Sequence, residues 1–218
     1  MSTYLRRRGR LTRSQAQALE IHGPEAVVGT SETPLDLGAL FDRDAPVGLE
    51  IGFGTGQALL DWAEASPDWN LLGIEIYEPG IGNLLKDRAA RGIEHLKVFQ
   101  EEALVVLESM IPPGALSEVR VFFPDPWPKK RHQKRRLINS VFVSLLASRM
   151  CSGGRLRLAT DWENYATSML KVLEAERAFS NEAAEGYAPR FEGRNVTRFE
   201  ARGQRLGHQV WDLCYRKN

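Results

Sequence analysis

With 218 residues, 43% of them hydrophobic and 26% charged, the chain is long enough for one full α/β domain and too short for two large ones. Its two cysteines, Cys151 and Cys214, stand apart from any C-x-x-C pair, which argues against a disulfide framework or a zinc site and for a reducing cytoplasm. No apolar stretch follows the N-terminal arginines and the longest aliphatic run, Ala103 to Leu107, cannot span a bilayer, so neither a secretory signal nor a membrane anchor is expected.

The formal net charge of +1 hides an uneven distribution. Arg6, Arg7, Arg8, Arg10 and Arg13 crowd the first turns of sequence. Lys129, Lys130, Arg131, Lys134, Arg135 and Arg136 form a second block. Such density on a near-neutral whole predicts a polarised molecule with one face for a polyanion.

Along the chain, residues 1–22 are basic and partly helical in pattern, through Gln15, Ala16, Ala18 and Leu19. Residues 23–46, rich in Gly, Pro, Thr and Asp, read as a connecting segment. Residues 1–46 are therefore expected to form an arm with its connector, and 47–218 the main domain. From Val47 onward short apolar runs alternate with helical periods. Strands are predicted at 47–51, 71–76, 96–99, 119–123, 155–159 and 210–215. Helical faces are marked by Leu59, Trp62 and Ala63, and later by Ile138, Val141, Phe142 and Leu145. This alternation predicts right-handed βαβ units and an open, mostly parallel sheet covered on both faces, with ligands at the carboxyl ends of its strands.

Glu50-Ile51-Gly52-Phe53-Gly54-Thr55-Gly56 lies between the first strand and the first helix of that domain. Glycines there let backbone approach a ligand closely. The G-x-G-x-G spacing departs from the dinucleotide fingerprint G-x-G-x-x-G. Glu50, two residues before the first glycine, would repel a pyrophosphate and suit a ligand carrying an ammonium and a sulfonium. The loop alone is equally compatible with a tight turn that binds nothing. Glu75 tips the balance, because an acid at the end of the second apolar run stands where ribose hydroxyls are met. Glu102, after the third strand, could reach an adenine edge or simply answer the dipole of the next helix.

Phe122-Phe123-Pro124-Asp125-Pro126-Trp127 closes the fourth strand. Its prolines lock the backbone around one carboxylate and offer no amide hydrogen. Trp127 could stack on a base or cap the core. The following run, Lys129 to Arg136, leads into a helix expected near 137–146. If that helix began near Gln133, three cations would crowd its positive end, each costing about 0.3–1 kcal/mol, a cost that docked phosphates would offset. Asp161 ends the fifth strand, facing the cleft or capping the next helix. Thr197-Arg198-Phe199-Glu200 fits a capping box. The histidines are scattered singly, and no metal site is expected.

Together these segments resemble the bacterial tRNA (guanine-N7-)-methyltransferases. The match runs through Arg8-Gly9-Arg10 with Gln15, Leu49 to Gly56, Gly73-Ile74-Glu75, Phe122 to Trp127 with Lys129 to Arg136, Ala159 to Trp162, and Thr197 to Leu213. The Pro-Asp-Pro-Trp segment with its basic run and the C-terminal stretch are specific, whereas the glycine loop is shared by many families. The chain departs from the pattern at Glu102, where many relatives carry Asp. The resemblance implies a single Rossmann-like class I methyltransferase domain, with a seven-stranded, mostly parallel sheet, helices on both faces and an antiparallel last strand. It implies S-adenosylmethionine as methyl donor, contacted at Glu50, Gly52, Gly54, Gly56, Glu75, Glu102 and Asp125, with Asp125 also catalytic and no metal. Lys129, Asp161, Thr197, Arg198, Phe199 and Glu200 would meet the substrate, and Arg131, His132, Gln133, Lys134, Arg135 and Arg136 the RNA. The expected reaction is methylation of a guanosine in the tRNA variable loop, in the cytoplasm, by a monomer or homodimer.

Overall fold

The computed structural model describes residues 9–184, 186–193, 200 and 209–218. Helix α1 (Arg13–Ala26) opens with a capping box in which Thr12 and Gln15 satisfy each other's backbone amides. It runs past Gly23 and Pro24, so the connecting segment starts later than its composition predicts. A proline removes one amide donor, yet the last turn still closes through Val27 N to Gly23 O. A short helix α2 (Leu37–Phe41), capped by Asp36, follows.

The domain then alternates as expected: β1 (Val47–Ile51), α3 (Gln57–Ala65), β2 (Asn70–Ile74), α4 (Glu78–Ala90), β3 (Leu96–Phe99) and a short α5 (Ala103–Val105) that widens into a π-turn at Val106–Met110. Next come β4 (Leu116–Phe122), a 3-10 helix (Lys130–Arg135), α6 (Ser140–Arg149), β5 (Met150–Thr160), α7 (Glu163–Ala175), β6 (Phe179–Asn181) and β7 (Trp211–Lys217). The strand order is β3-β2-β1-β4-β5-β7-β6. β1 to β5 run parallel, and β7 lies antiparallel to both β5 and β6. This is the seven-stranded class I arrangement. Its order reverses between β1 and β4, the switch point where ligands bind.

Two adjustments concern the strands. β6 escaped prediction because three residues carry no readable period. β5 begins at Met150, five residues early, because Cys151-Ser152-Gly153-Gly154 reads as a turn and is instead extended, directly after α6.

Each face of the sheet has its own core. Leu49, Ile51, Leu72, Val119, Val121, Leu156 and Leu158 pack beneath Phe142 and Leu146 of α6 and Tyr165 and Met169 of α7. On the other face Leu71 and Val98 meet Leu59 and Trp62 of α3, Ile81 and Leu84 of α4, and Ala18 of α1. Gly48 makes room for this second layer, since a Cβ there would lie 2.4 Å from the Trp62 ring. Glu50 alternates with Leu49 and Ile51 and therefore points into the α3 side, among apolar residues.

Candidate active site

Five parallel strands each deliver an acid just beyond or at their carboxyl ends. Read across the sheet these are Glu102 after β3, Glu75 after β2, Glu50 within β1, Asp125 after β4 and Asp161 after β5. Sequence reasoning singled out all five, and the topology brings them to one edge.

The glycine loop occupies the centre of that edge. Gly52 and Gly54 adopt φ of 74° and 60°, and a Cβ built on either would meet nothing within 4 Å. The loop therefore lies open in front, as close backbone approach to a ligand requires. From behind it is held tightly. A Cβ on Gly80 of α4 would stand 2.0 Å from the Gly54 carbonyl oxygen, so α4 can press on the loop only through a glycine. Gly80 is a residue that sequence reasoning missed, and the signal was present in Glu78-Pro79-Gly80-Ile81-Gly82, two glycines inside a helical period.

Glu75 lies one residue beyond β2 rather than ending it. Its Oε1 accepts from the amides of Ile76 at 2.8 Å and Tyr77 at 3.0 Å, and its Oε2 from Gly54 N at 2.8 Å. Three backbone donors fix the carboxylate and tie the two loops together, and a carboxylate's four lone-pair directions leave capacity for a hydroxyl. Glu50 is the reverse case. It is 4% exposed, and its Oε2 is buried without a hydrogen-bond partner. Burial raises its pKa to about 7 against the opposing pull of Arg120, with Glu75 and Asp61 adding to the rise. A buried, unpaired acceptor beside an open loop fits a cationic ligand group. Glu102 takes the N-cap position of α5 without a side-chain cap, so helix capping does not account for it.

On the acceptor side, Phe123 and Trp127 hold φ of 52° and 44°, left-handed values that a non-glycine residue rarely adopts. They bracket Pro124-Asp125-Pro126, whose own φ angles the prolines fix at two points. The half-buried Asp125 is thus aimed by a strained, stiff turn, with the strain compensated by anchors on both sides. Phe123 N donates to Ala159 O at 2.8 Å. Trp127 is buried, so it caps the core rather than offering a stacking face, and the Arg135 guanidinium lies 4.9 Å from its ring centre.

The basic run departs from expectation. It forms a 3-10 helix of its own, and α6 starts only at Ser140, capped by the Asn139 side chain on Phe142 N at 3.1 Å. No cation therefore crowds the positive end of α6. Asn139 is the better cap and Leu137-Ile138 the better core entry, which moves the helix start downstream. Lys129, Lys130, Arg131 and Lys134 are exposed, His132, Gln133 and Arg135 half-buried. Partial burial and then the cations Arg131, Arg135, Lys129 and Lys134 lower the His132 pKa.

Arg136 requires a correction to its expected RNA contact. It is 4% exposed. Its Nε donates to Pro126 O at 2.9 Å, its Nη2 to Asn164 Oδ1 at 2.8 Å, and its guanidinium covers the Tyr165 ring at 4.7 Å. It clamps the Asp125 turn onto α7. Asp161 also loses its alternative role, because α7 is capped at Trp162 with no side-chain bond. Glu200 is buried and paired with Arg190 at 3.4 Å. Thr197, Arg198 and Phe199 lie outside the described residues. Among the described residues no group of three or more His, Cys, Asp or Glu could hold a metal ion, and no helix is long and apolar enough to cross a membrane.

Comparison with known proteins agrees with this geometry. Residues 44–213 match the model of a family described as "Putative methyltransferase". The chain is 46% identical over 216 residues to a tRNA (guanine-N(7)-)-methyltransferase of Shewanella sp. strain MR-4, covering 99% of this chain and 91% of the relative. It is 50% identical over 215 residues to the enzyme of that name from Acidovorax sp. strain JS42, covering 99% and 85%. Among solved structures, the 16S rRNA methyltransferase KamB matches with a TM-score of 0.61 at 14% identity, over 89% of this chain and 99% of that one. A 16S rRNA (adenine(1408)-N(1))-methyltransferase variant from Catenulisporales acidiphilia, solved with SAM, matches at 0.56 and 16% identity, over 87% and 92%. These structural likenesses establish the fold, and the near full-length sequence identities establish more: the chain belongs to the tRNA (guanine-N(7)-)-methyltransferase family.

Proposed function

We propose that this protein transfers the methyl group of S-adenosylmethionine to N7 of a guanosine in the variable loop of tRNA, in the cytoplasm. The observation that carries the reading is Glu50, a buried carboxylate oxygen without a partner beside glycines that are open in front. A dinucleotide would set a pyrophosphate against that acid, whereas S-adenosylmethionine brings an ammonium. Glu75 would receive the ribose hydroxyls and Glu102 the adenine edge, with Gly52 and Gly54 admitting the ligand, while Gly56, whose Cβ would stand 2.7 Å from Leu84, seats the loop against α4.

The bound donor supplies an electrophilic methyl on a sulfonium. Guanine N7 carries an in-plane lone pair and no hydrogen, so the chain has no proton to remove before the displacement. Its task is alignment, for which well-oriented reactants gain on the order of 7–11 kcal/mol. Asp125, held by Pro124 and Pro126 and by the Arg136 clamp, would accept hydrogen bonds from the guanine and offset positive charge growing on the ring. It is an orienting and electrostatic residue rather than a general base. Lys129, Asp161, Thr197, Arg198 and Phe199 would complete the acceptor side, with Arg131, Lys134 and Arg135 on phosphates, whereas the buried Glu200 is turned inward to Arg190 rather than to the substrate.

The test is incubation with labelled S-adenosylmethionine and unmodified tRNA, followed by nucleoside analysis. Label in 7-methylguanosine is expected, mapped to the variable loop. Label in any other nucleoside would overturn the reading.

A further inference from the structure

β4 carries an unusual pair for a central strand covered on both faces: Glu118 and Arg120 are both buried, at 7% and 5% exposure. Arg120 is the register partner of Glu50 on β1, so the two side chains project from the same face of the sheet. Its Nε donates to Glu118 Oε1 at 2.6 Å, and its guanidinium lies 3.4 Å from the centre of the Trp62 ring, the ring that Gly48 admits. Glu118 and Gly48 are themselves register partners, one step toward the amino ends of the strands. The guanidinium therefore leans back beneath Glu50 and leaves the carboxyl-end side of that acid to the ligand. Arg157, register partner of Arg120 on β5, pairs with the same Glu118 oxygen at 3.3 Å. Two guanidiniums thus share one carboxylate, and Phe191 covers both, at 4.8 Å from Arg120 and 3.9 Å from Arg157. Among these four side chains the charges balance only when Glu50 is ionised. Burying an unbalanced charge is expensive, so this cluster pulls Glu50 toward the anion against the burial that opposes it.

We propose that Arg120 is a positioning residue for cofactor binding, a buried cation that keeps the Glu50 carboxylate in the anionic form an ammonium requires. The proposal rests on the reading of Glu50 as the ammonium acceptor. The charged groups acting on Glu50 come from three elements: Arg120 from β4, Glu75 from the segment after β2, and Asp61 from α3. The two acids and burial oppose ionisation, and Arg120 supports it. A purely structural Arg120, stacked on Trp62 to fill space, would affect binding equally at all pH values.

Calorimetric titration of S-adenosylhomocysteine into the full chain from pH 6 to pH 9.5 separates these cases. The informative quantity is the ratio of variant to wild-type Kd, in which the ligand's own titration cancels. For Arg120→Gln a ratio of about ninefold at pH 6 and about fivefold at pH 7 is expected, shrinking to near one at pH 9.5, as one unit of displacement from a pKa of about 7 requires. Arg120→Lys, which keeps the charge, should stay near one throughout. Glu118→Gln leaves Arg120 less neutralised, so its ratio should fall below one at pH 6 and return to one at high pH. A ratio that does not vary with pH for Arg120→Gln overturns the proposal. If that variant does not fold, a pH-independent ratio for Glu118→Gln does so instead. Failure of the underlying reading looks different: Glu50→Gln would then bind the ligand as tightly as wild type.

Discussion

Within and beside β1, from β2 to β4, the charged groups are withdrawn from water, whereas beyond the end of β4 most of them are turned out to it. Glu50, Glu118 and Arg120 lie buried among Trp62, Phe191 and the α3 core, and Glu75 is fixed by three backbone amides. Lys130, Arg131 and Lys134 stand exposed on a single short 3-10 helix, with Lys129 exposed at its N-cap. The difference follows from what each side has to recognise. A small cation is distinguished from water by an anion that water cannot reach, and a low dielectric strengthens that one contact. A folded polyanion is recognised by many phosphates at once, through exposed cations whose binding releases counterions. Asp125 stands between the two regimes, half-buried and aimed by strain rather than by enclosure.

The largest expected effect breaks the comparison at that junction. Asp125→Asn keeps the shape of the turn and removes the charge. Methylation in single turnover should fall about 10²–10³-fold, the scale of losing one preorganised electrostatic contact. Binding of tRNA should change little, because the phosphates dock elsewhere. Near-normal turnover would show that Asp125 neither orients the guanine nor offsets its charge.

Next comes Glu50→Gln, which should weaken S-adenosylhomocysteine by about 10- to 100-fold, the range for a hydrogen bond to a charged group. The same change should stabilise the ligand-free protein at pH 8. Glu50 has a folded pKa of about 7 against an ordinary value of 4.5. Between those values the folded chain binds a proton that the unfolded chain has released, so stability declines as pH rises from 4.5 through 7 and stays lower above it. At 1.36 kcal/mol per unit, the gain on removing the acid is on the order of 3 kcal/mol at pH 8 and falls to a few tenths near pH 4.5. Thermal melts of the two proteins at both pH values check this. Equal melting temperatures at pH 8 would mean that the buried carboxylate costs nothing.

What could be read from the sequence divides along the same line. Glu50, Glu75, Asp125 and Asp161 were legible because parallel strands end at a common edge, so an acid after each apolar run must arrive there. Partners within the site were not legible. The register that sets Arg120 beside Glu50 is a property of two strands separated by α3, β2, α4, β3 and α5 in the chain, and no local pattern encodes it. Glu118-x-Arg120 nonetheless carried a signal, a charged pair on one face of a strand destined for the centre of the sheet. Gly80 was hidden for a similar reason: its purpose is the carbonyl of Gly54, twenty-six positions earlier. The start of α6 was misplaced because the apolar pattern reaches back to Leu137, while the cap that decides the matter is Asn139.

The smallest expected effect sharpens the comparison within the basic run itself, where neighbouring cations serve different ends. Arg131 and Lys134 are exposed, and each replaced by alanine should reduce the salt dependence of tRNA binding by roughly one unit of slope or slightly less, with an unchanged melting temperature. Arg136, two positions beyond Lys134, is buried against Pro126 O, Asn164 and Tyr165. Arg136→Ala would leave the Pro126 carbonyl without its donor, while the exposed Asn164 side chain keeps the amide of Gln133. Stability should drop by about 1–3 kcal/mol, the cost of stranding a partly buried acceptor, and turnover should fall with the loosened Asp125 turn while the salt slope stays as in wild type. Log–log plots of tRNA affinity against salt, set beside melts of the same three variants, decide between the roles. A reduced slope for Arg136→Ala with an unaltered melt would return that arginine to the RNA face. The expected pattern makes the run a seam, with Arg131 and Lys134 turned to the polyanion and Arg136 holding the turn that presents Asp125.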